Sequence, residues 1–495
     1  MQNKVLPKAK IAVVGGGIAG STIALYLSEI GLDVTLFEKG ASLVNGPPFC
    51  HLHAGGNLYR DISDEQCLTL LRQSIDLVRF YPDAIDYRPT VIAVPLTDRG
   101  SPQDLYPRLK KLQAEYASLI KRDPRNKVLG ESSEYFKLYE REEIEALKQQ
   151  QTPTQPAQMD EWIIPVAKNV DLDKVKFPLI MVQEYGLNLF LIASSARLSL
   201  DQKTNCQLLL EHKVTGIRKT DKSGAWSVQY KHNDNTHEES FDFLINAAGF
   251  RTGRLDDMLG YKRVRLVEFK AAYVSRWEAC DVSWPEVIFY GERGTPQGMA
   301  QFTPYPDGYF QLHGMTKSIT LFEEGLVKSS HESSQPYLKT KFLDKIENEW
   351  NDTDAQTRTQ LAIEHLAQYI PSFKHAKVVS KPLYGAQQIP GADASLRAAD
   401  VSFEEGTYAR CEIVKASSVL SMADTITKQL ISLGYVDERM YRKRDFSAIT
   451  RLDETQINQY AESICTERDY PLSLTQRILS HHPFSDEAKE ESALS

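Results

Sequence analysis

Residues 11–39 read IAVVGGGIAGSTIALYLSEIGLDVTLFEK, and this stretch decides the fold. Ile11, Ala12, Val13 and Val14 form an apolar run without a polar break, the pattern of a strand buried on both faces. Gly15-x-Gly17-x-x-Gly20 follows at once. Gly15 permits the tight turn, Gly17 lets a diphosphate approach the backbone, and Gly20 lets helix and strand pack closely. The helix opens near Ile18, so its free N–H groups and positive dipole end point at the phosphates. Ala24, Leu25, Leu27 and Ile30 give it an apolar face, and Gly31 stops it. A second strand, Val34–Phe37, runs into Glu38, where a carboxylate can accept from a ribose 2′-OH. The whole pattern fits in about 30 residues, the length of a βαβ unit. It predicts a dinucleotide site built on Gly15, Gly17, Ile18, Ala19, Gly20, Glu38 and Lys39. An acid at position 38 disfavours a 2′-phosphate, which favours FAD or NAD over NADP.

Composition sets the bounds around that unit. The 495 residues suffice for two or three domains and a large core. The net charge of −8 comes from mixed acidic and basic residues, so nothing points to a nucleic-acid partner. No uncharged apolar run reaches the roughly 18 residues of a spanning helix. Leu187–Ala196 reads as a core helix. The N-terminus enters the first strand after a short basic segment, without a secretory pattern, so a cytoplasmic location is expected, with peripheral contact to the inner face of a membrane as the variant. Six scattered cysteines (Cys50, Cys67, Cys206, Cys280, Cys411 and Cys465) form no CxxC and no metal-like cluster, so no metal site is expected.

Further along, Gly46-Pro-Pro-Phe-Cys-His-Leu-His-Ala-Gly-Gly56 cannot be regular helix. A loop after the second strand of a dinucleotide fold reaches toward the cofactor, which makes His51 and His53 candidate catalytic residues. Asp61–Phe80 reads as an amphipathic helix, Asp86–Leu96 as a strand, and Leu105–Lys121 and Tyr139–Gln151 as charged helices. Thr152–Ala157 is a linker signal. A helix follows Asn188 to about Leu200, and strands are expected over 206–217, 225–230 and 241–245. Asp242-Phe-Leu-Ile-Asn-Ala-Ala-Gly249 is an apolar strand ending in small residues, which lets a second backbone segment approach a bound dinucleotide through Ala248 and Gly249. Strands are predicted at 267–277, 287–290, 298–303 and 309–315, with helices at 337–350 and 353–369. Pro382–Arg397 reads as loop, 408–415 as a strand and 417–433 as a helix with Gly434 as its stop.

These motifs together resemble the D-amino-acid oxidase-like flavoproteins, a family that includes glycerol-3-phosphate dehydrogenase, 2-hydroxyglutarate oxidase and, more remotely, malate:quinone oxidoreductase. The resemblance rests on Gly15–Glu38 and Asn246–Gly249, supported by His53-Ala-Gly55, Glu184–Asn188, the strand pair around Val214, Pro304–Gly308 and His313–Thr316. It implies an α/β fold: a Rossmann-like FAD-binding domain with a parallel sheet (8–84, 181–261 and 386–435), an interleaved α+β substrate domain with a mixed sheet (85–180 and 262–385), and a C-terminal helical extension with an acidic tail (436–495). It implies FAD, with adenine near the backbone of Val214, the ribose on Glu38, and the C-terminal segment closing over the flavin ring.

The chemistry so implied is hydride removal from a C–OH or C–NH group of a small, anionic substrate such as a 2-hydroxy acid or amino acid. Oxygen or a quinone is the expected electron acceptor. A buried cation would fix the substrate carboxylate; Arg251, Arg397, Arg410 and Lys415 are the candidates, with Arg410 also placed among the cofactor contacts. Some family members join the flavin 8α carbon to a histidine preceding small residues, as His53 precedes Ala54-Gly55-Gly56. His53 is therefore expected against the flavin, joined to it or as a general base. A flavin-dependent monooxygenase or halogenase shares the opening motif but usually carries a later Gly-Asp fingerprint, which the C-terminal third lacks. A non-catalytic flavoprotein is the third reading.

Overall fold

A computed structural model of the chain describes residues 9–45, 52–54, 60, 62–220, 224–348, 350–397, 401–442, 449 and 451–480, with 52–54 and 442 described by backbone alone. His51, Cys50 and the acidic tail lie outside the described residues.

The opening stretch folds as its side chains dictate. β1 (Lys10–Val14), α1 (Ile18–Glu29) and β2 (Asp33–Phe37) form the expected unit. Ile23, Leu25 and Leu27 of α1 are fully buried, each contributing about 1.5–3 kcal/mol of transfer free energy. β1 lies parallel between β2 and the strand Phe243–Asn246. Cys206–Leu209 extends the parallel sheet beyond β2, and Tyr408–Arg410 extends it on the other side. An antiparallel edge strand, Ser402–Glu404, closes that end. A meander of Lys213–Lys219, Trp226–His232 and Asn235–Phe241 covers one face through Ala12, Val14, Phe37, Trp226 and Val228.

A second, larger sheet is mixed. Its spine is the twelve-residue strand Arg265–Arg276. The order then runs through Tyr309–Gly314, Ala300–Pro304, Glu286–Phe289, Thr90–Pro95, Val175–Val182 and Phe136–Tyr139. The pair Glu286–Phe289 and Thr90–Pro95 is parallel, and its neighbours are antiparallel. Segments from both sides of residues 206–246 thus interleave in one sheet. Its outer face, with Val267, Phe269, Tyr273, Val287, Phe289, Phe302, Phe310 and Leu312, packs on the helices Thr340–Glu347 and Asp352–Ala367 in an aromatic-rich core.

Three expectations change. Pro382–Arg397 is not all loop: Leu383–Pro390 is a strand paired over its full length with Arg265–Arg276. Gly385, Pro390 and two glutamines mask it in sequence, but the neighbouring strand supplies eight pairing positions that local propensity does not show. The strand expected over 408–415 ends at Arg410; Cys411 N–H donates to Asn246 O (2.9 Å), and the chain then turns toward the helix Val419–Ser432. The strand expected over 241–245 is two strands in different sheets, divided at Asp242, whose N–H donates to Lys10 O (2.9 Å). Val175–Val182, unassigned by pattern, is a central strand of the large sheet.

Candidate active site

Two of the three motif glycines are fixed by packing. Gly15 holds φ +107°, and a Cβ there would stand 2.5 Å from the Ala247 carbonyl oxygen. A Cβ on Gly20 would stand 1.7 Å from Gly15 O. Gly17 differs: no atom lies within 4 Å of the Cβ position, and it caps α1 with no side-chain partner for the first helical N–H groups. The turn is therefore closed on the protein side and open on the side where a phosphate would sit. Gly249, at φ +59°, faces open space in the same way. Ala247 N–H donates to Val14 O (2.9 Å), which sets Ala248 and Gly249 directly beside the turn.

Glu38 completes the groove. It is buried, and its carboxylate accepts from Gly16 N–H and Gly40 N–H, both at 2.7 Å. Glu38 O accepts from His212 N–H (2.8 Å), which brings the start of Lys213–Lys219, and so Val214, to the same end. The ladder is bulged between Val214 and Gly216. Lys39 and Arg251 also converge here. Burial, then the Arg251 charge, holds the Lys39 pKa below the ordinary lysine value. Arg251 pairs with Glu347 and stands over the Phe250 ring, its centre 4.8 Å away. The structure thus gathers Gly15, Gly17, Ile18, Ala19, Gly20, Glu38, Lys39, Val214, Ala248, Gly249 and Arg251 near the glycine turn. This fits a dinucleotide diphosphate and a ribose without 2′-phosphate.

Arg410 is placed otherwise. Its guanidinium is buried and bonds Asp256 Oδ1 (2.6 Å), Glu404 Oε1 (3.2 Å) and Ser402 Oγ (3.4 Å). Asp256 also binds Arg265, and Arg265 Nε donates to Glu412 Oε1 (2.8 Å). Arg263 Nε reaches the other Glu412 oxygen (2.5 Å). Tyr408 OH donates to Asp256 Oδ1 (2.8 Å) and accepts from Asn246 Nδ2 (2.7 Å). This network ties the parallel sheet to the spine of the large sheet.

Part of the inner face of the large sheet, opposite its aromatic core, is polar and buried. Antiparallel register places Gln301 opposite His313 and Thr303 opposite Gln311, with Glu268 and Lys270 on the same face of the spine. Gln301 Nε2 donates to Glu286 Oε1 (2.8 Å), and Gln311 Nε2 lies 2.8 Å from His313 Nε2. Lys270 Nζ contacts Gln387 Oε1 (2.7 Å) and Glu268 Oε2 (2.8 Å). One of its three N–H donors has no acceptor among the described residues. Arg293 pairs with the second oxygen of Glu268. Burial lowers the Lys270 pKa most; Glu268 opposes that, and the charges of Arg293 and Arg397 lower it further. Arg397 is anchored through its N–H to Gln66 Oε1 (3.1 Å) and its guanidinium to Leu396 O (2.8 Å). Gln387 Nε2 donates to Val414 O (2.8 Å), in the segment that leads from the parallel sheet into the helix Val419–Ser432. The cluster therefore borders the junction of the two halves. Sequence reasoning missed Glu268, Lys270 and Arg293. The available signal was the alternation Glu268-Phe-Lys270, Gln301-Phe-Thr303 and Gln311-Leu-His313, in which the polar positions are buried too.

His53 is described only as backbone, in the strand Leu52–Ala54, paired with Gly186 of Tyr185–Leu187. Lys415 caps the short turn before the helix Val419–Ser432. Among the described residues, no helix is long and apolar enough to cross a membrane.

Residues 10–155 match the protein family described as DAO: FAD dependent oxidoreductase. No curated protein matches the chain in sequence. Three of the many solved structures similar to it in fold are the following. The glycerol-3-phosphate dehydrogenase from Bacillus halodurans complexed with FAD is 13% identical over 94% of this chain and 73% of its own, with a TM-score of 0.54. The L-amino acid deaminase from Proteus vulgaris is 15% identical over 89% of this chain and 99% of its own, also at 0.54. The L-proline dehydrogenase from P. horikoshii is 16% identical over 88% and 99%, at 0.51.

Proposed function

We propose, from the match of residues 10–155 to the FAD dependent oxidoreductase family and from the site geometry, that this chain is an FAD-dependent oxidoreductase that oxidises a small anionic substrate, a 2-hydroxy acid or an amino acid, at its C–OH or C–NH group. The observation that carries this reading is the cluster on the inner sheet face: Lys270 and Arg293 stand against the single carboxylate of Glu268, with Arg397 near enough for its charge to lower the Lys270 pKa. Two cations on one carboxylate, with a buried Lys270 donor that has no acceptor among the described residues, suit an anionic guest, since buried charges are stabilised by partners.

In this reading the glycine turn, Glu38 and the Asn246–Gly249 turn hold FAD, which when bound accepts the hydride. Lys270 and Arg397 fix the substrate carboxylate, so its α-carbon is held in one orientation at the junction of the halves. The polar face formed by Gln301, Gln311 and His313 supplies hydrogen-bonding groups for the hydroxyl or amino group. His53 and His51 stay our candidates for the proton acceptor, and Arg251 sits at the dinucleotide groove. Oxygen or a quinone reoxidises the enzyme.

Anaerobic reduction of the bound flavin by a panel of hydroxy and amino acids, each paired with its neutral amide, tests the proposal. The acids should reduce the flavin at least about 100-fold more efficiently than their amides, as expected where a charged partner is lost at a buried site. Equal rates for acid and amide would sink the anionic assignment. Mixing the reduced enzyme with oxygen or a quinone then identifies the acceptor.

A further inference from the structure

The loop after β2 carries an unusual backbone. Val44 sits at φ +53°, in the left-handed region, where a β-branched residue is strained. Its side chain is buried, and its N–H donates to Gly16 O (2.8 Å), inside the glycine turn. Leu43 packs on the same turn: a Cβ on Gly16 would stand 2.8 Å from Leu43 Cδ2. A conformation of this kind persists only where its surroundings impose it.

The imposing group comes from the far end of the chain. Arg468, just after the helix Glu454–Glu467, inserts into this loop. Its guanidinium donates to Leu43 O (2.8 Å), Asn45 Oδ1 (2.9 Å), Ser42 Oγ (3.0 Å) and Val44 O (3.3 Å). It forms no ion pair among the described residues, and its Nε is buried without a partner. All its bonds go to neutral acceptors in residues 42–45. Its stem lies on Phe190, with the guanidinium centre 5.7 Å from the ring.

We propose that Arg468 is a positioning residue for FAD: it holds Val44 in the left-handed conformation, so that the loop braces Gly16 and the diphosphate turn keeps its open shape. The C-terminal extension is thereby part of the cofactor site without touching the cofactor. The lever is the backbone at position 44, so a residue that accepts that conformation freely makes Arg468 dispensable.

Apoprotein titrated with FAD, read by quenching of flavin fluorescence, tests this independently of the substrate class proposed above. R468A should raise the Kd for FAD at least about tenfold, and R468K, which keeps the charge but not the fork, should recover only part. In the V44G background, where glycine takes φ +53° without strain, R468A should change Kd by less than about threefold. An unchanged Kd in R468A overturns the proposal, as does an equal loss in both backgrounds. A V44G protein that cannot bind FAD also overturns it. If R468A does not fold, the double variant decides: binding like V44G supports the clamp, and failure to fold refutes it.

Discussion

The molecule contains two clusters of charge centred on buried residues of the same long strand, and they are built differently. At the start of Arg265–Arg276, three arginines (Arg263, Arg265 and Arg410) meet three carboxylates (Asp256, Glu404 and Glu412). Tyr408 and Asn246 complete the bonding around Asp256. A few residues on, Lys270 and Arg293 pair with one carboxylate, Glu268, and a donor of Lys270 has no acceptor among the described residues. The first cluster is saturated and balanced, as a joint between halves requires. The second is unbalanced, as a site that receives a charged guest requires. On the reading proposed above, it is unused bonding capacity rather than burial that separates structure from function here.

The sharpest way to break the contrast is to unbalance the joint. Asp256→Ala leaves Arg265 and Arg410 buried without their shared carboxylate. Losing one partner of a buried pair costs about 3–5 kcal/mol, so denaturant unfolding should show a loss of that size, or the protein should fail to fold. A loss below about 1 kcal/mol would show that the network is no more than a surface-like pairing.

The matching substitution in the second cluster should act on chemistry and spare stability. Lys270→Met removes a buried cation from a site with an excess of them, so unfolding free energy should hold or rise. Flavin reduction by the preferred acid should fall about 100-fold or more, with the acid-over-amide preference lost. A large drop in stability with the preference intact would assign Lys270 to the scaffold instead.

The two clusters were also unequally legible. The glycine turn could be read because its chemistry depends on what is absent: Gly15 and Gly20 have no room for a Cβ. The Asn246–Gly249 turn was readable for the same reason. Arg410 reads in sequence as one of four candidate cations, yet its partner Asp256 lies 154 positions away, and no local pattern announces that. Glu268 and Lys270 look like ordinary exposed alternates of a strand. The strand Leu383–Pro390, itself disguised as a loop, pairs along them on one side, Leu326–Lys328 pairs with Glu268 on the other, and both residues are buried. What the sequence withholds is pairing over long separations, because register between distant strands is set by the assembled sheet.

A titration sharpens the second cluster further. With the Lys270 pKa held below its ordinary value near 10.4, chiefly by burial, the ammonium is lost at a lower pH than in a free lysine. Efficiency toward the acid should therefore decline as pH rises through that depressed value. The same limb should be absent for the amide and absent in Lys270→Met. An acid profile that stays flat to the ordinary lysine range would mean that the ammonium does not hold the substrate.

A third place asks whether imbalance by itself marks a site. Asp424, on the helix Val419–Ser432, accepts from Tyr26 OH and is pushed up to about 6, mainly by burial, with Tyr441 and Lys428 opposing. Nothing in the proposed chemistry uses it. A carboxyl raised in the folded state from an unfolded value near 3.9 favours folding below that value, and the advantage disappears as pH climbs through about 6. Asp424→Asn, which keeps an acceptor for Tyr26 but cannot ionise, should gain in Tm relative to the parent between pH 4.5 and pH 7.5. Flavin reduction should not change. The shift is expected to be a few degrees at most, because the group is only partly buried. If Asp424→Asn instead slowed flavin reduction while leaving the pH dependence of Tm unaltered, a strained charge would be as good a marker of the site as an unused donor. The distinction drawn from the two clusters would then fail.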